Sequence, residues 1–171
     1  MTNQSIKLSS RHWFFATLIG IAVILLSALY LQFYSGYKPC VLCQLQRIIF
    51  MLIACILFLA VIQNPRYLGI RIYSIVIILL TSIGNLFAIR QVWLQSLPAG
   101  KIPACGPNLN FMLQHMQPTD IIWQIFYGSG DCAKVDWRFL HLSFAGWAIA
   151  FFSLIAIIAL WQFIVPRLSA K

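Results

Sequence analysis

Four long runs of apolar residues divide the chain, and few charges interrupt them. They lie at residues 13–33, 43–63, 72–89 and 142–165. A helix needs roughly 17–25 residues to cross the hydrocarbon core of a bilayer, and each run has about that length. The pattern therefore predicts an all-α membrane protein, a bundle of four transmembrane helices that forms a single domain over residues 1–171.

Two segments connect the predicted helices on the side opposite the termini. One is the short loop 34–42, and the other is the long segment 90–141. Within the long segment, residues 108–130 contain apolar side chains such as Met112 and Trp123, a composition that predicts a short amphipathic helix on the membrane surface. The alternative is a loop that packs on the helix bundle.

The composition excludes an ordinary soluble protein. Hydrophobic residues make up 61% of the chain and charged residues 9%, compared with roughly 45–50% and about 25% in soluble domains. The net charge of +9 comes from 12 lysines and arginines against three acidic residues, and these charges are scattered between the apolar runs. We therefore expect lipid around this protein and no nucleic acid as its partner, because nucleic-acid binding needs a clustered basic face.

The basic residues predict the orientation of the bundle. On the side of the termini, the short segments contain lysines and arginines without an acidic residue, whereas all three aspartates lie in segment 90–141. Under the positive-inside rule, both termini are expected in the cytoplasm. Most of the cysteines then fall on the outer side, where disulfides form and persist. These are Cys40, Cys43, Cys105 and Cys132.

Cys40 and Cys43 form a C-x-x-C pair at the start of the second predicted span. This spacing lets two sulfur atoms meet across one helical turn, and a helix N-terminus favours the thiolate form of cysteine. Arg47 stands four residues after Cys43 on the same helix face, and a cation near a thiolate stabilises its charge. The pattern favours a redox-active pair. The alternatives are a structural disulfide with an interfacial arginine, or half of a zinc site.

The other two outer cysteines lack such spacing. Cys105 and Cys132 stand among glycines and prolines of the long segment, which is typical of either a structural disulfide or an exposed disulfide that exchanges with another protein's thiolate. Because structural zinc sites usually contain two short-spaced pairs, we expect no metal. Cys55 falls in the middle of the second span, and the sequence predicts that it is a buried, small apolar residue.

An outward-facing thiol oxidase needs an electron acceptor. The histidines do not form a transmembrane pair that would hold a haem, and no G-x-G-x-x-G motif follows a predicted strand. By elimination, a lipid-soluble quinone is the expected acceptor. It would reach Cys43 from the bilayer, and Arg47 would stabilise negative charge on a quinone oxygen.

Three motifs carry a family resemblance over nearly the whole chain. The segments "KPCVLCQLQR", "WLQSLPAGKIPACGP" and "GSGDCAKVDWRFLHLS" resemble those of the DsbB family, quinone-dependent membrane oxidases that regenerate periplasmic DsbA. The resemblance implies a multi-pass protein of the bacterial inner (cytoplasmic) membrane, with its redox cysteines in the periplasm. It also implies that the partner is a DsbA-type thioredoxin-fold oxidase and that the electron acceptor is ubiquinone or menaquinone.

The resemblance also implies a role for each outer cysteine. Cys105 and Cys132 would form the disulfide that DsbA attacks, with Cys105 taken into the mixed disulfide. Cys40 and Cys43 would then reoxidise that pair, and Cys43 would contact the quinone. This reading describes a thiol oxidase; a non-enzymatic membrane scaffold, whose outer loop is held by structural disulfides, is the alternative.

Four polar residues around the predicted quinone site complete the comparison with the family. Arg47 and Gln95 correspond to family residues placed near the quinone. Gln46 stands where some members have an acidic residue, and Gln91 stands where a histidine is common. These two departures remove no cysteine that the reaction requires, but they change the polar groups near the site.

Overall fold

The computed structural model describes residues 10–34, 36, 39–98, 101, 109–127, 130–133 and 138–165. Within them the elements are α1 (Ser10–Tyr34), α2 (Val41–Gln63), α3 (Tyr67–Gln95), α4 (Leu109–His115), α5 (Pro118–Tyr127), α6 (Gly130–Ala133), β1 (Arg138–Phe139), β2 (Leu142–Ser143) and α7 (Phe144–Ile164). Four of these helices, α1, α2, α3 and α7, are long and apolar enough to cross a membrane. The chain is therefore an all-α, multi-pass membrane protein, as the sequence predicts.

The spanning helices do not end where the apolar runs end. α3 is the clearest case, because it spans Tyr67–Gln95 whereas its apolar run covers 72–89. α7 begins later than its run, because Ser143 belongs to β2 and acts as the N-cap of the helix. The Ser143 hydroxyl accepts a hydrogen bond from the backbone N–H of Gly146 at 3.4 Å, which satisfies one of the free donors at a helix start.

A tight turn makes α2 and α3 antiparallel neighbours. α2 is capped by Asn64, which adopts the left-handed conformation (φ 41°, ψ 61°) and donates its backbone N–H to Ala60 O at 3.1 Å. Asparagine tolerates this conformation better than most residues. Pro65 follows, and α3 begins two residues later.

The middle of the bundle is held by apolar packing. Phe50 of α2 stacks on Phe152 of α7, with ring centroids 4.0 Å apart and planes 8° from parallel. Gly84 of α3 lies against the ring of Phe152. A Cβ atom at position 84 would be only 2.6 Å from Phe152 Cζ. Small residues allow this close approach of helices in membranes. Together these three residues join α2, α3 and α7.

Large apolar side chains cover the outer faces of the spanning helices. Leu26, for example, is 65% exposed and Leu79 is 59% exposed, as expected where lipid rather than water is the solvent. Cys55 is also exposed, so the prediction that it is buried is wrong. In a bilayer a small apolar side chain contacts lipid tails without cost, and nothing drives it into the core.

We call one end of the bundle the cysteine end; α1 and α3 end there, and α2 and α7 begin there. We call the opposite end the terminal end. At the cysteine end, the short helix α6 packs against α2 and α3. This contact forms a small buried cluster of Leu42, Leu94, Cys132 and Ala133. It brings Cys132 to the start of α2, although 89 residues of sequence numbering separate it from Cys43.

The region predicted to form one surface helix contains two. α4 and α5 are separated at Met116 and Gln117, and Pro118 opens α5, a position where the missing N–H of proline costs nothing. Met112 is buried, whereas Trp123 is 68% exposed. The location of these helices on a membrane surface stays a prediction.

Candidate functional site

Three cysteine sulfur atoms meet at the cysteine end. Cys40 is the N-cap of α2, and Cys43 lies in its first turn. The Cys40 thiol donates to Cys43 Sγ at 3.0 Å, and Cys40 packs against the buried cluster that contains Cys132. All three are free thiols. The structure thus brings together three of the predicted site cysteines; Cys105 lies outside the described residues.

The surroundings of Cys40 decide which sulfur of the pair keeps a proton. The pKa of the Cys40 thiol is raised above its ordinary value, first by the hydrogen bond with Cys132, then by the hydrogen bond with Cys43 and by burial. At neutral pH Cys40 therefore stays protonated and acts as a donor. Because the Cys40 thiol donates to Cys43 Sγ at 3.0 Å, Cys43 is the sulfur of the pair that is placed to hold negative charge.

Two glutamines complete the polar contacts of Cys43. Gln91 of α3 donates through Nε2 to Cys43 Sγ at 3.0 Å and to Cys40 Sγ at 3.5 Å. Gln46 of α2 donates through Nε2 to Gln91 Oε1 at 2.9 Å. Sequence comparison identifies both only as departures from the family pattern. The signal for Gln46 is its position inside an apolar run, since buried polar residues in membrane helices are often functional. Gln91 lies just after the run 72–89 and carries no such signal.

Arg47 is held from α1. Its guanidinium donates to Gln32 Oε1 and, at 3.1 Å, to Ala28 O. These contacts fix a half-buried cation one turn into α2, beside Cys43. Gln32 is a site residue that the sequence analysis missed; its signal was again a glutamine inside an apolar run.

A cavity of about 340 Å³ adjoins these groups. Its walls come from α1, α2, β1 and α7, and they are mostly aliphatic and aromatic. The polar lining comes from Cys43, Gln46 and Arg47 in the first turns of α2 and from Ser27 of α1. The lining residues are Val23, Ile24, Leu25, Ser27, Ala28, Leu31, Cys43, Gln46, Arg47, Phe50, Phe139, Phe144, Trp147, Ala148 and Phe151. Apolar walls with a few convergent polar groups are typical of small-molecule sites.

The β1–β2 hairpin contributes one wall of this cavity. Trp147 donates its indole N–H to Phe139 O at 3.1 Å, and this bond holds Phe139 against α7. Phe139 and Trp147 both line the cavity. The sequence analysis placed this segment within a loop and a helix start, because strands of two residues are too short to leave a periodic pattern.

Gln95 has a different environment from Arg47. Its Oε1 accepts a hydrogen bond from the Ser143 hydroxyl at 2.7 Å, and Gln95 is not among the residues that line the cavity. The side chain thus ties the end of α3 to the start of α7. Its predicted contact with a quinone stays a prediction.

Comparison with known proteins places this site in a family. The family model described as Disulfide bond formation protein DsbB matches residues 10–162. Disulfide bond formation protein B of Nitrosococcus oceani is 42% identical over 91% of this chain and 92% of its own length. The proteins of the same name from Marinobacter nauticus and Azoarcus sp. are each 40% identical, over 90% and 88% of this chain and 92% and 90% of their own lengths. Since the match spans all four membrane helices and the cysteine end, the chain belongs to the DsbB family of disulfide bond formation proteins.

Proposed function

We propose that this protein oxidises the dithiol of a DsbA-type thioredoxin-fold protein in the periplasm and passes the two electrons to a membrane quinone, either ubiquinone or menaquinone. The observation that carries the proposal is the position of Cys43. Its sulfur is in hydrogen-bond contact with Cys40 on one side and lines an apolar cavity together with Arg47 on the other. A redox-active sulfur beside a pocket for an apolar ligand suits electron transfer from thiols to a lipid-soluble acceptor.

The first exchange would take place at Cys105. A thiolate of the partner attacks Cys105 of a Cys105–Cys132 disulfide, so that a mixed disulfide forms and Cys132 leaves as a thiolate. The second thiolate of the partner then attacks the partner's own sulfur in the mixed disulfide. This step releases Cys105 as a thiolate and leaves the partner oxidised.

The second exchange would join Cys132 to the C-x-x-C pair. Cys40 packs against the buried cluster that contains Cys132, so the Cys132 thiolate would attack the Cys40 sulfur when Cys40 and Cys43 form a disulfide. A Cys132–Cys40 bond forms, the Cys40–Cys43 bond breaks, and the electron pair moves to Cys43. Cys105 then attacks Cys132, restores the Cys105–Cys132 disulfide, and leaves Cys40 to take up a proton.

The cavity beside Cys43 fits a quinone head group. Its volume of about 340 Å³ lies within the roughly 300–1,000 Å³ of small-molecule pockets, and its aromatic walls suit a flat ring. Arg47 would hold a quinone oxygen and stabilise negative charge there, while Cys43 holds the electron pair. A bound quinone would supply a two-electron acceptor at this position. The Cys40 thiol would give one of the two protons of the quinol as the Cys40–Cys43 disulfide re-forms, and solvent would give the other.

We also propose the orientation that this chemistry requires. The cysteine end would face the periplasm of a bacterium and the terminal end the cytoplasm. Arg66 and Arg71 lie at the terminal end, at and near the start of α3, which agrees with the positive-inside rule.

The test is quinone reduction by the purified protein in detergent, followed by absorbance, with reduced DsbA as electron donor. Cys43→Ser should abolish turnover, because Cys43 is the cysteine that lines the cavity among the residues that the structure describes. Cys55→Ser is the matched control, since it removes a lipid-exposed cysteine from the same helix and should leave turnover unchanged. Cys105→Ser should abolish oxidation of DsbA, yet the Cys40–Cys43 pair should still transfer electrons from dithiothreitol.

Two results would contradict the proposal. Full turnover with DsbA in Cys43→Ser or Cys105→Ser would exclude the order of exchanges given above. No turnover with either quinone, in folded protein that contains both disulfides, would favour a scaffold with structural disulfides.

A further inference from the structure

We propose that Gln46 and Gln91 form an amide relay that stabilises negative charge on the Cys43 sulfur. Gln91 donates directly to the reacting sulfur, and Gln46 is a positioning residue that fixes which end of the Gln91 amide faces it. The inference rests on the proposed function, because it assigns a role to residues around the sulfur that would release electrons to the quinone.

The contacts of the relay are short and buried. Gln91 Nε2 lies 3.0 Å from Cys43 Sγ, and Gln46 Nε2 lies 2.9 Å from Gln91 Oε1. Gln91 is 2% exposed, Gln46 6% and Cys43 9%. A buried amide without a partner is costly, so the hydrogen bond between Gln46 Nε2 and Gln91 Oε1 is strongly favoured.

Gln46 determines the orientation of the Gln91 amide. A glutamine amide has an acceptor end and a donor end. Because the donor end of Gln46 is directed at Gln91 Oε1, the NH₂ group of Gln91 is directed at the sulfur atoms. The reverse orientation would present Oε1 to Cys43 and repel a thiolate. The Cys40 thiol donates to the same sulfur, so Cys43 receives two donors.

The relay acts when the Cys40–Cys43 disulfide opens. As Cys132 attacks Cys40, the electron pair of the broken bond passes to Cys43, which leaves as a thiolate. A better stabilised thiolate is a better leaving group, and Gln91 stabilises it without gaining or losing a proton. The relay therefore favours the reduced state of the pair and raises its reduction potential.

The experiment measures that potential without quinone or partner. The full-length protein in quinone-free detergent is equilibrated with dithiothreitol buffers at pH 7, trapped with an alkylating reagent, and the reduced fraction of the Cys40–Cys43 pair is read by mass spectrometry of its peptide. Gln91→Leu keeps the volume but removes the donor. Loss of one hydrogen bond to a charged group should change the equilibrium constant about tenfold, which makes the potential about 30 mV more negative.

Gln46 is tested through its dependence on Gln91. Gln46→Leu should change the equilibrium constant about threefold, as expected for the loss of a neutral hydrogen bond. In the Gln91→Leu background it should add nothing, because Gln46 acts only through Gln91. Gln162→Leu is the control, since Gln162 is an equally buried glutamine of α7 near the terminal end, and it should leave the potential unchanged.

An unchanged potential in Gln91→Leu would overturn the relay. So would an undiminished effect of Gln46→Leu in the Gln91→Leu background, or an equal shift in Gln162→Leu. Failure of the proposed function would look different, since the wild-type protein would then reduce no quinone whatever its potential.

Discussion

The middle of the bundle and its cysteine end are both buried, but different forces hold them. In the middle, Phe50 stacks on Phe152, and the Phe152 ring packs against Gly84. At the cysteine end, Gln46 and Gln91 form hydrogen bonds between helices. Since lipid tails are as apolar as the core, packing and hydrogen bonds both contribute to helix association in membranes. The difference teaches that substitutions in the middle should change stability, whereas those at the cysteine end should change chemistry.

The largest effect that tests this division is expected at Arg47. Arg47→Ala should lower kcat/KM for quinone about a hundredfold, because a preorganised positive charge next to a developing negative charge contributes strongly to catalysis. Steady-state kinetics with varied quinone and saturating DsbA measures it. Arg71→Ala is the control, since Arg71 lies at the terminal end. Its Cζ atom lies 4.3 Å from the centroid of the Tyr67 ring. Unchanged quinone kinetics in Arg47→Ala would contradict the proposed role of Arg47 at the quinone. It would also contradict the view that substitutions at the cysteine end change chemistry.

Much of the cysteine end was predictable because its residues are close in sequence. Cys40, Cys43 and Arg47 are three and four residues apart, and helical geometry alone puts them on one face. The four membrane spans were predictable for a similar reason, since a helix must satisfy its own backbone hydrogen bonds in lipid and hydropathy reports where lipid begins. The ends of the helices were less predictable. α3 continues through Arg90 to Gln95, because hydropathy falls there but no residue breaks the helix.

The contacts between distant segments were not predictable from one sequence. Gln46 and Gln91 are 45 residues apart, and Arg47 and Gln32 are on different helices. Such pairs depend on how α1 and α3 are rotated about their axes relative to α2, and many packing contacts together determine that rotation. The shape of the cavity depends on the same packing contacts. Sequence therefore identifies the reacting sulfur atoms better than the groups that surround them.

A smaller effect, on stability alone, is expected at Gly84. In Gly84→Ala the new Cβ would lie 2.6 Å from Phe152 Cζ, so the ring must move, and overpacking of this kind costs about 1–3 kcal/mol. Unfolding in detergent measures the loss, while kcat per folded molecule should stay unchanged. Phe152→Leu in the same chain should restore part of the stability.

Gly20 provides the matched control for this substitution. It lies in α1, and among the described residues no atom outside its neighbouring residues and its own helix backbone is within 4 Å of a Cβ built there. Gly20→Ala should therefore be neutral or slightly stabilising, because alanine favours a helix by about 0.5–1 kcal/mol over glycine. An equal loss of stability in both variants, or a fall in kcat of Gly84→Ala, would show that the middle of the bundle does not act through local packing.

The smallest effect is expected at Gln95, which lies at the cysteine end but is expected to affect stability more than chemistry. The sequence predicts a quinone contact, but Gln95 Oε1 accepts a hydrogen bond from Ser143, the N-cap of α7, at 2.7 Å. Gln95→Leu should lower the free energy of unfolding by about 1 kcal/mol, the usual contribution of one hydrogen bond, and should change KM for quinone less than about twofold. Because both residues belong to one contact, Ser143→Ala should add less in the Gln95→Leu background than alone. A raised KM for quinone without loss of stability would instead assign Gln95 to the quinone site. The residues that contact the quinone would then extend from the start of α2 to the end of α3.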